Sequence, residues 1–375
     1  MDLFAFGRRP LLAAALLAGA LAAAPAFAAD DAPTDVPGCD LAKLPAPAVA
    51  SKEAEGAKAM VDTAAFKKSG TIKLGVSAGY LANSWVVFAL QLIKYEASKD
   101  PRYAKDIRVT DAGFNANKQI SDIHDLVNSG VNAIIYWPVD DKAIEPALEE
   151  AVAKGIPTVN VGGGYNNAKG VTSNAYIDQY ILGRMVAQHL MADMKGKGSI
   201  LSLLPIAGTT AAVDQDRALK DVLGVCPSVK LLDTENGDWN RAKSQTIGQN
   251  WSQRFPQATG LFSPSGQMTI GAVQAFDQAG TLDRIQLSPS DEYNGWLKWA
   301  VANPTKNSGV VTFPPEAGAV GVELMTKIVQ GQAVPKGMQV PSTYIPPAEV
   351  KKYAEANRPD DWWATKLPEQ WQPKH

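Results

Sequence analysis

The sequence predicts an α/β protein made of two doubly wound, Rossmann-like lobes of parallel sheet. From Thr71 onward, short apolar segments alternate with amphipathic stretches of helical period, which is typical of parallel strands joined by right-handed helical crossovers. The same alternation starts again near Ile200. A chain of 375 residues also exceeds the size that one hydrophobic core usually serves, so two domains are expected.

The first 28 residues have the features of an export signal. Arg8 and Arg9 precede an apolar run from Leu11 to Ala24, and Ala26-Phe27-Ala28 forms an A-x-A cleavage sequence. The run is Ala-rich and shorter than the roughly 20 residues that a membrane-spanning helix needs. We therefore predict that the signal peptide, residues 1–28, is removed and that a periplasmic monomer begins at Ala29.

Charge and cysteine content narrow the possible partners. The whole chain has 36 basic and 38 acidic residues, and this slightly acidic balance argues against nucleic acid or anionic lipid as a partner. Both cysteines, Cys39 and Cys226, lie in the exported part. An oxidising periplasm would allow a disulfide worth roughly 3 to 5 kcal/mol, but the sequence leaves a bridge and two free thiols equally open.

The predicted strands and helices of the first lobe come after an N-terminal extension. Residues 29–70 are interpreted as an extension outside the main fold, with one helix from Ser51 to Lys68. The predicted strands are Ile72 to Val76, Ile107 to Thr110, Ala133 to Tyr136 and Thr158 to Val161. The predicted helices are Ser84 to Ser98, Asn117 to Asn128 and Lys142 to Ala153. Gly130 and Gly155 follow two of these helices, where glycine commonly ends a helix.

The second lobe repeats the pattern. Its predicted strands are Ile200 to Leu204, Val229 to Leu232, Leu261-Phe262 and Ile285 to Leu287. Its predicted helices are Thr209 to Leu223, Arg241 to Arg254 and Met268 to Gln278. The segments Gly309 to Phe313 and Ala317 to Gln330 then return to the first lobe. The predicted domains are residues 71–176 with 313–340, residues 177–312, and a tail, 341–375, whose tryptophans pack on the lobes.

Several motifs, in a shared order and spacing, carry a family resemblance from about Thr71 to Val340. They are Leu81 to Trp85, Asp111 to Asn117, Tyr136 to Asp140, Gly155 to Val159, Ile206 to Ala212 and Trp239-Asn240-Arg241. This set resembles the type I periplasmic binding proteins, in particular the ribose-binding branch that serves ABC sugar importers. The resemblance implies a three-strand hinge, with crossings near residues 175–178, 312–313 and 339–342, and a ligand cleft at the carboxyl ends of the strands.

The same resemblance implies a sugar-binding site. A sugar ring needs flat aromatic faces and a ring of hydrogen-bonding groups at its edge. Trp85 and Trp239 would supply the faces, and Asn83, Arg241 and Asp291 the edge contacts. Further candidates are Trp137, Gly162, Gly163, Tyr165, Ser265, Gln267 and Thr312. A core position for either tryptophan, and a helix N-cap role for Asp291, remain open alternatives.

Departures from the family pattern indicate a ligand other than ribose. Gly162-Gly163 stands where the family commonly has an Asp-Arg pair, Val213 replaces an expected Arg, and Thr312 replaces an expected Gln. Because glycine removes side chains, the site would leave room for a larger ligand or for contacts to backbone N–H groups.

The predicted function is that of the periplasmic solute-binding component of an ABC sugar transporter, with a membrane permease as partner and with neither cofactor nor metal. A periplasmic sensor that serves a chemoreceptor or sensor kinase is the main alternative. A remote alternative is a serine hydrolase, because Gly75 to Gly79 matches G-x-S-x-G around Ser77. Ser77 ends the first strand, however, and His124, His189 and His375 are poorly placed for a triad, so we expect no enzyme.

Overall fold

The computed structural model describes residues 32–46, 56–364 and 367–373. The predicted signal peptide, the start at Ala29 and His375 lie outside the described residues. So do the first residues of the helix predicted from Ser51 to Lys68. Residues 58–68 instead hold a short strand, β1 (Met60–Val61), and a 3-10 turn, Ala64–Phe66. The helix prediction is wrong there because β1 pairs antiparallel with β12 (Val334–Pro335), and this tertiary pairing outweighs local helix propensity.

The first lobe is built on a six-stranded parallel sheet with the order β13-β6-β5-β4-β2-β3. Its strands are β2 (Leu74–Ala78), β3 (Arg108–Asp111), β4 (Ala133–Trp137), β5 (Thr158–Val161), β6 (Ser173–Tyr176) and β13 (Gly337–Gln339). Its helices are α1 (Ser84–Ser98), α2 (Ala116–Asn128), α3 (Asp141–Ala153) and α9 (Ala317–Val329). Helix α9 packs closely on α1, where a Cβ at Gly318 would lie 2.5 Å from the Ala89 carbonyl oxygen.

The second lobe is built on a four-stranded parallel sheet with the order β10-β9-β7-β8. Its strands are β7 (Gly198–Leu204), β8 (Val229–Asn236), β9 (Gly260–Phe262) and β10 (Gln286–Leu287). Its helices are α4 (Gln179–Asp193), α5 (Thr210–Gly224), α6 (Arg241–Arg254), α7 (Gly266–Gln278) and α8 (Asn294–Ala302). No helix within the described residues is long and apolar enough to cross a membrane.

Three segments connect the lobes. The chain leaves the first sheet between β6 and α4, returns between β11 (Val310–Val311) and α9, and leaves again between β13 and β14 (Tyr344–Ile345). Strands β11 and β14 pair antiparallel, so the second and third connections lie side by side. The α/β fold class with two parallel-sheet lobes, predicted from the sequence, is confirmed.

Polar caps fix where the crossover helices begin. Asn83 accepts a hydrogen bond from the Val86 amide at 3.1 Å, and Thr209 accepts one from the Ala212 amide at 3.2 Å. Such caps satisfy amides that have no partner within the helix. Because each capped helix follows the carboxyl end of a parallel strand, the caps and their neighbours face the space between the lobes.

The N-terminal extension is joined to the second lobe. Cys39 and Cys226 form a disulfide across a sequence separation of 187 residues, which settles the alternative that the sequence left open. The Asp40 amide also donates to the Val225 carbonyl oxygen at 2.8 Å, and Gln188 donates to the Pro33 carbonyl oxygen at 2.9 Å.

The C-terminal tail contacts both lobes. The buried Asn294 at the start of α8 accepts a hydrogen bond from the Glu355 amide at 2.9 Å, and its amide nitrogen lies 2.9 Å from the Pro359 carbonyl oxygen. On the first lobe, Trp362 packs edge-on against Phe88 of α1, with ring centroids 5.0 Å apart. The tail therefore spans the two lobes along the side of the connecting segments.

Candidate functional site

A cavity lies between the lobes at the carboxyl ends of both sheets. It holds about 800 Å³ of empty space, including space open to solvent. Aromatic side chains line much of it: Tyr80, Trp85, Trp137, Trp239, Phe313 and Trp363. Its polar and charged lining residues are Asn83, Asp141, Gln179, Thr209, Thr210, Ser265, Gln267 and Asp291. Glycines 162–164 complete the wall contributed by the loop after β5.

Trp85 is held rigidly at the start of α1. Its indole N–H donates to the Phe313 carbonyl oxygen at 2.8 Å, and the Phe313 ring packs edge-on against it at 5.3 Å. A Cβ at Gly162 would lie only 1.9 Å from the Cη2 atom of Trp85. The expectation that this glycine leaves room for ligand therefore needs correction, because the Trp85 ring occupies the space beside Gly162.

Trp137 ends β4 and is likewise fixed by the protein. Its indole N–H donates to the Tyr80 carbonyl oxygen at 2.9 Å, and only 3% of the residue is exposed. Both tryptophans thus combine a buried, core-like position with a place in the cavity wall. Trp85 is therefore both a buried core residue, which was the alternative interpretation, and part of the cavity wall.

An aromatic stack crosses the rim of the cavity. Trp239 from the second lobe stacks on Tyr80 from the first at a centroid distance of 5.9 Å, and Tyr80 stacks on Phe114 at 4.5 Å. Trp239 and the preceding Asp238 have φ angles of 49° and 55°, in the left-handed region that side chains disfavour. Backbone strain of this kind is concentrated at ligand clamps.

A polar contact also bridges the lobes. The Thr210 hydroxyl donates to Asp141 at 3.2 Å, and Asn166 donates to the same carboxylate at 2.9 Å. Burial raises the pKa of Asp141, while these two hydrogen bonds oppose the rise. Together with the aromatic stack, this contact describes a closed arrangement of the lobes.

Asp291 both accepts hydrogen bonds from the backbone and lines the cavity. Its Oδ1 accepts hydrogen bonds from the Gly266 amide at 2.9 Å and the Tyr293 amide at 3.2 Å. The N-cap alternative is therefore partly right, but the helix whose first amide it satisfies is α7, far away in sequence, and not the adjacent α8. Burial raises the pKa of Asp291 to about 7 despite these bonds.

The structure brings most of the predicted residues together. Asn83, Trp85, Trp137, Gly162, Gly163, Trp239, Ser265, Gln267 and Asp291 all line the cavity. Asn83 uses its oxygen to cap α1, which leaves its amide nitrogen for other contacts. Ser265 is the residue that precedes α7.

Three predicted residues do not reach the cavity. Arg241, at the start of α6, turns outward to an ion pair with Asp360 of the tail at 2.9 Å. Tyr165 packs against Tyr176, with centroids 5.5 Å apart, beneath the segment around Gly56. Thr312 accepts a hydrogen bond from the Thr343 amide at 2.8 Å and so joins two of the connecting segments. These contacts occupy side chains that the resemblance would direct to a ligand.

Sequence reasoning missed several lining residues: Tyr80, Asp141, Gln179, Thr209, Thr210, Phe313 and Trp363. A signal existed for some of them. Thr209 and Thr210 fall inside the Ile206 to Ala212 motif, and Tyr80 directly follows the first strand and its glycine. For Trp363 the sequence offered only a tryptophan-rich tail, whose approach to the cavity depends on the tertiary fold.

Ser77 does not occupy the position of a hydrolase nucleophile. It is fully buried in β2, where its hydroxyl lies 3.4 Å from the side-chain nitrogen of Gln119. Of the described histidines, His124 lies 3.3 Å from Glu150 on the surface, and His189 stacks on Tyr344. The G-x-S-x-G pattern here belongs to a core strand.

Most of both lobes matches one known protein family. A model of the periplasmic binding protein domain family matches residues 74–333. The chain belongs to this family. The resemblance to its ribose-binding branch is thereby confirmed, and the family is one of binding proteins rather than enzymes.

Relatives of this periplasmic binding protein include a ribose import binding protein from Bacillus subtilis, 29% identical over 73% of this chain and 87% of the relative. A xylitol-binding protein from Mycolicibacterium smegmatis is 27% identical over 64% of this chain and 67% of the relative. Among solved structures, an ABC transporter solute-binding protein from Mycobacterium smegmatis with bound glycerol superposes with a TM-score of 0.70. It is 22% identical and covers 79% of this chain and 100% of that chain, a likeness that shows the fold.

Proposed function

We propose that this periplasmic binding protein captures a neutral sugar or polyol between its lobes and delivers it to an ABC permease in the inner membrane. The lobes that close on the ligand are residues 71–176 with 313–340, and residues 177–312. The signal peptide would place the protein in the periplasm. Family membership and the names of relatives that import ribose or bind xylitol support this proposal.

The chemistry of the cavity wall carries the proposal. Aromatic faces suit the C–H faces of a sugar ring, while amide, hydroxyl and carboxyl groups suit its hydroxyls. The charged residues of the described lining are Asp141 and Asp291, and it contains no Lys, Arg or His. A sugar phosphate or sugar acid would bring negative charge toward these carboxyls without a counter-charge, which is unfavourable in a buried site.

A thermal-shift measurement tests the ligand class. The mature protein, unfolded and refolded to remove any bound molecule, is melted with D-ribose, D-allose, xylitol, glycerol and myo-inositol. A binding probe present at 100 times its dissociation constant should add about 2.7 kcal/mol of stability. D-ribose 5-phosphate and D-glucuronate are the matched anionic controls and should leave the melting temperature unchanged.

Other results of the thermal-shift measurement would change the proposed ligand class. Stabilisation by the anionic probes would contradict the argument from lining charge. Stabilisation by amino acids alone would keep a ligand-binding clamp and reject the sugar class. The delivery step is tested separately, by measuring whether the loaded protein stimulates ATP hydrolysis by its permease complex in proteoliposomes. A sensor role predicts no such stimulation.

A further inference from the structure

Trp363 belongs to the cavity wall although it comes from the C-terminal tail. It is 3% exposed and lines the same cavity as Trp85 and Asp291. Its position lies well beyond the family match, which ends at residue 333. The wall of the cavity therefore includes a residue from outside the segment that the family model matches.

The indole N–H of Trp363 sets it apart from other buried tryptophans. Trp85, Trp137 and Trp251 each donate this hydrogen to a protein oxygen, at 2.8, 2.9 and 3.0 Å respectively. The Nε1 atom of Trp363 is buried and has no hydrogen-bond acceptor within the described part of the chain. Buried donors almost always have partners, because leaving one unsatisfied is unfavourable.

Among the described residues, only Trp363 both lines the cavity and has a buried polar atom without a hydrogen-bond partner. The other described residues with an unpartnered buried polar atom, such as Ser84 and Ser342, do not line the cavity. An acceptor that enters the cavity could therefore satisfy a donor that the protein itself leaves unpaired.

The tail is held firmly enough to position such a donor. Asp360, three residues earlier, pairs with Arg241 at 2.9 Å and with Lys298 at 2.7 Å. Trp363 itself forms an antiparallel bridge with Tyr293, and the Asn294 amide donates to the Trp362 carbonyl oxygen at 3.0 Å. Because these contacts fix the backbone at Trp363 and in the three residues before it, the ring is positioned before any ligand arrives.

We propose that Trp363 is a ligand-binding residue whose indole N–H donates to a hydroxyl or ring oxygen of the bound sugar or polyol. The inference rests on the proposed function and makes the C-terminal tail part of the binding site. The donor of Trp363 and the acceptor carboxyl of Asp291 would then select a ligand that presents both an acceptor and a donor.

The test compares Trp363→Phe, which keeps an aromatic ring and removes the N–H, with Trp371→Phe in the same tail. Trp371 packs on Tyr95, 5.6 Å between centroids, and does not line the cavity. Dissociation constants for D-ribose, D-allose, xylitol, glycerol and myo-inositol are measured by calorimetry on the full mature chain. We expect Trp363→Phe to weaken the best-bound probe about 2- to 12-fold, the range of one lost hydrogen bond, and Trp371→Phe to change it less than twofold.

The possible results distinguish a failure of the proposed role of Trp363 from a failure of the proposed sugar-binding function. If a probe binds the wild type and Trp363→Phe binds it within twofold, the role of Trp363 is overturned and the proposed function stands. If both variants weaken binding equally, the tail acts through general stability and the inference also fails. If the wild type binds none of the probes, the proposed function fails and the inference falls with it. Should Trp363→Phe not fold, Trp363→Leu, which also lacks a hydrogen-bond donor, takes its place and is judged by the same ratios.

Discussion

At the scale of single residues, Gly162 supports the position of Trp85. The two glycines that flank β5, Gly155 and Gly162, have the same φ of 75°, but a Cβ at Gly155 would meet nothing within 4 Å. A Cβ at Gly162 would overlap the Trp85 ring. Alanine substitution at both positions therefore separates two losses of stability: that from a left-handed alanine, and that from the overlap with the Trp85 ring.

We expect Gly155→Ala to lower the free energy of unfolding by about 1 to 2 kcal/mol, the cost of a left-handed alanine. Gly162→Ala should cost about 1 to 3 kcal/mol more, because the Trp85 ring must move. Chemical denaturation of both variants measures the difference. Equal losses in the two variants would show that the ring adjusts freely and that Gly162 is not required by Trp85.

The buried carboxyl of Asp291 should make the free energy of unfolding depend on pH. Burial raises its pKa from 3.8 to about 7, so the folded protein holds this proton more tightly than the unfolded chain does. Its contribution to stability is full below about pH 4 and is lost as the pH rises toward 7. Over that window the ligand-free wild type should lose as much as about 4 kcal/mol relative to Asp291→Asn, which cannot titrate.

Denaturation of both proteins at several pH values between 4 and 8 checks this prediction. The two proteins are also compared in a Glu292→Gln background, because burial and the nearby charge of Asp291 raise the pKa of Glu292 well above its usual range and its titration would differ between them. Parallel curves would mean that Asp291 stays ionised in the folded state.

At the scale of elements, the disulfide fastens the N-terminal extension to the end of α5. Cys226 is fully buried, and the bridge closes a loop of 187 residues. Cross-linking so distant residues restricts the unfolded chain strongly, which is the main source of disulfide stability in the chain-entropy account.

Removal of the bridge in the double variant Cys39→Ala, Cys226→Ala should therefore lower the free energy of unfolding by roughly 2 to 5 kcal/mol. Thermal melting with and without a reductant provides the control. The reductant should destabilise the wild type and leave the double variant unchanged. A wild type that melts at the same temperature under both conditions would show that the bridge contributes nothing.

Local patterns located several elements well. The helices predicted from Ser84 to Ser98 and from Arg241 to Arg254 agree with α1 and α6 residue for residue. Each follows a polar N-cap, Asn83 or Asn240, and this signal lies within a few residues of the helix start. The helix predicted from Ser51 to Lys68 is wrong over residues 58–68, because β1 lies there and its partner strand, β12, is far away in sequence.

At the scale of the whole molecule, contacts at the rim hold the lobes together. The Trp239–Tyr80 stack and the Asp141–Thr210 hydrogen bond join residues from opposite lobes. Contacts that exist only in the closed state shift the balance between open and closed forms, and with it the ligand affinity.

Trp239→Ala should therefore weaken binding of the best-bound sugar or polyol about 2- to 12-fold, the equivalent of the roughly 0.5 to 1.5 kcal/mol typical of an aromatic pair. Phe114→Ala is the matched control, because Phe114 stacks on Tyr80 within a single lobe. Calorimetry gives the affinities, and solution scattering should show less compaction on ligand addition for Trp239→Ala than for the control. Unchanged affinity in Trp239→Ala would remove the rim stack from the closing mechanism.

The alternation of strands and helices, the two lobes and the family could be predicted from the sequence, because periodicity, caps and motif order are properties of short stretches of chain. Most of the ligand-binding residues that it named also line the cavity, since the carboxyl ends of parallel strands must share one edge. Three features became known from the folded structure and not from the sequence: Arg241 turns to the tail, Cys39 bonds to Cys226, and Trp363 lines the cavity. Those outcomes depend on side-chain directions and on packing between segments more than 100 residues apart, which local patterns do not encode.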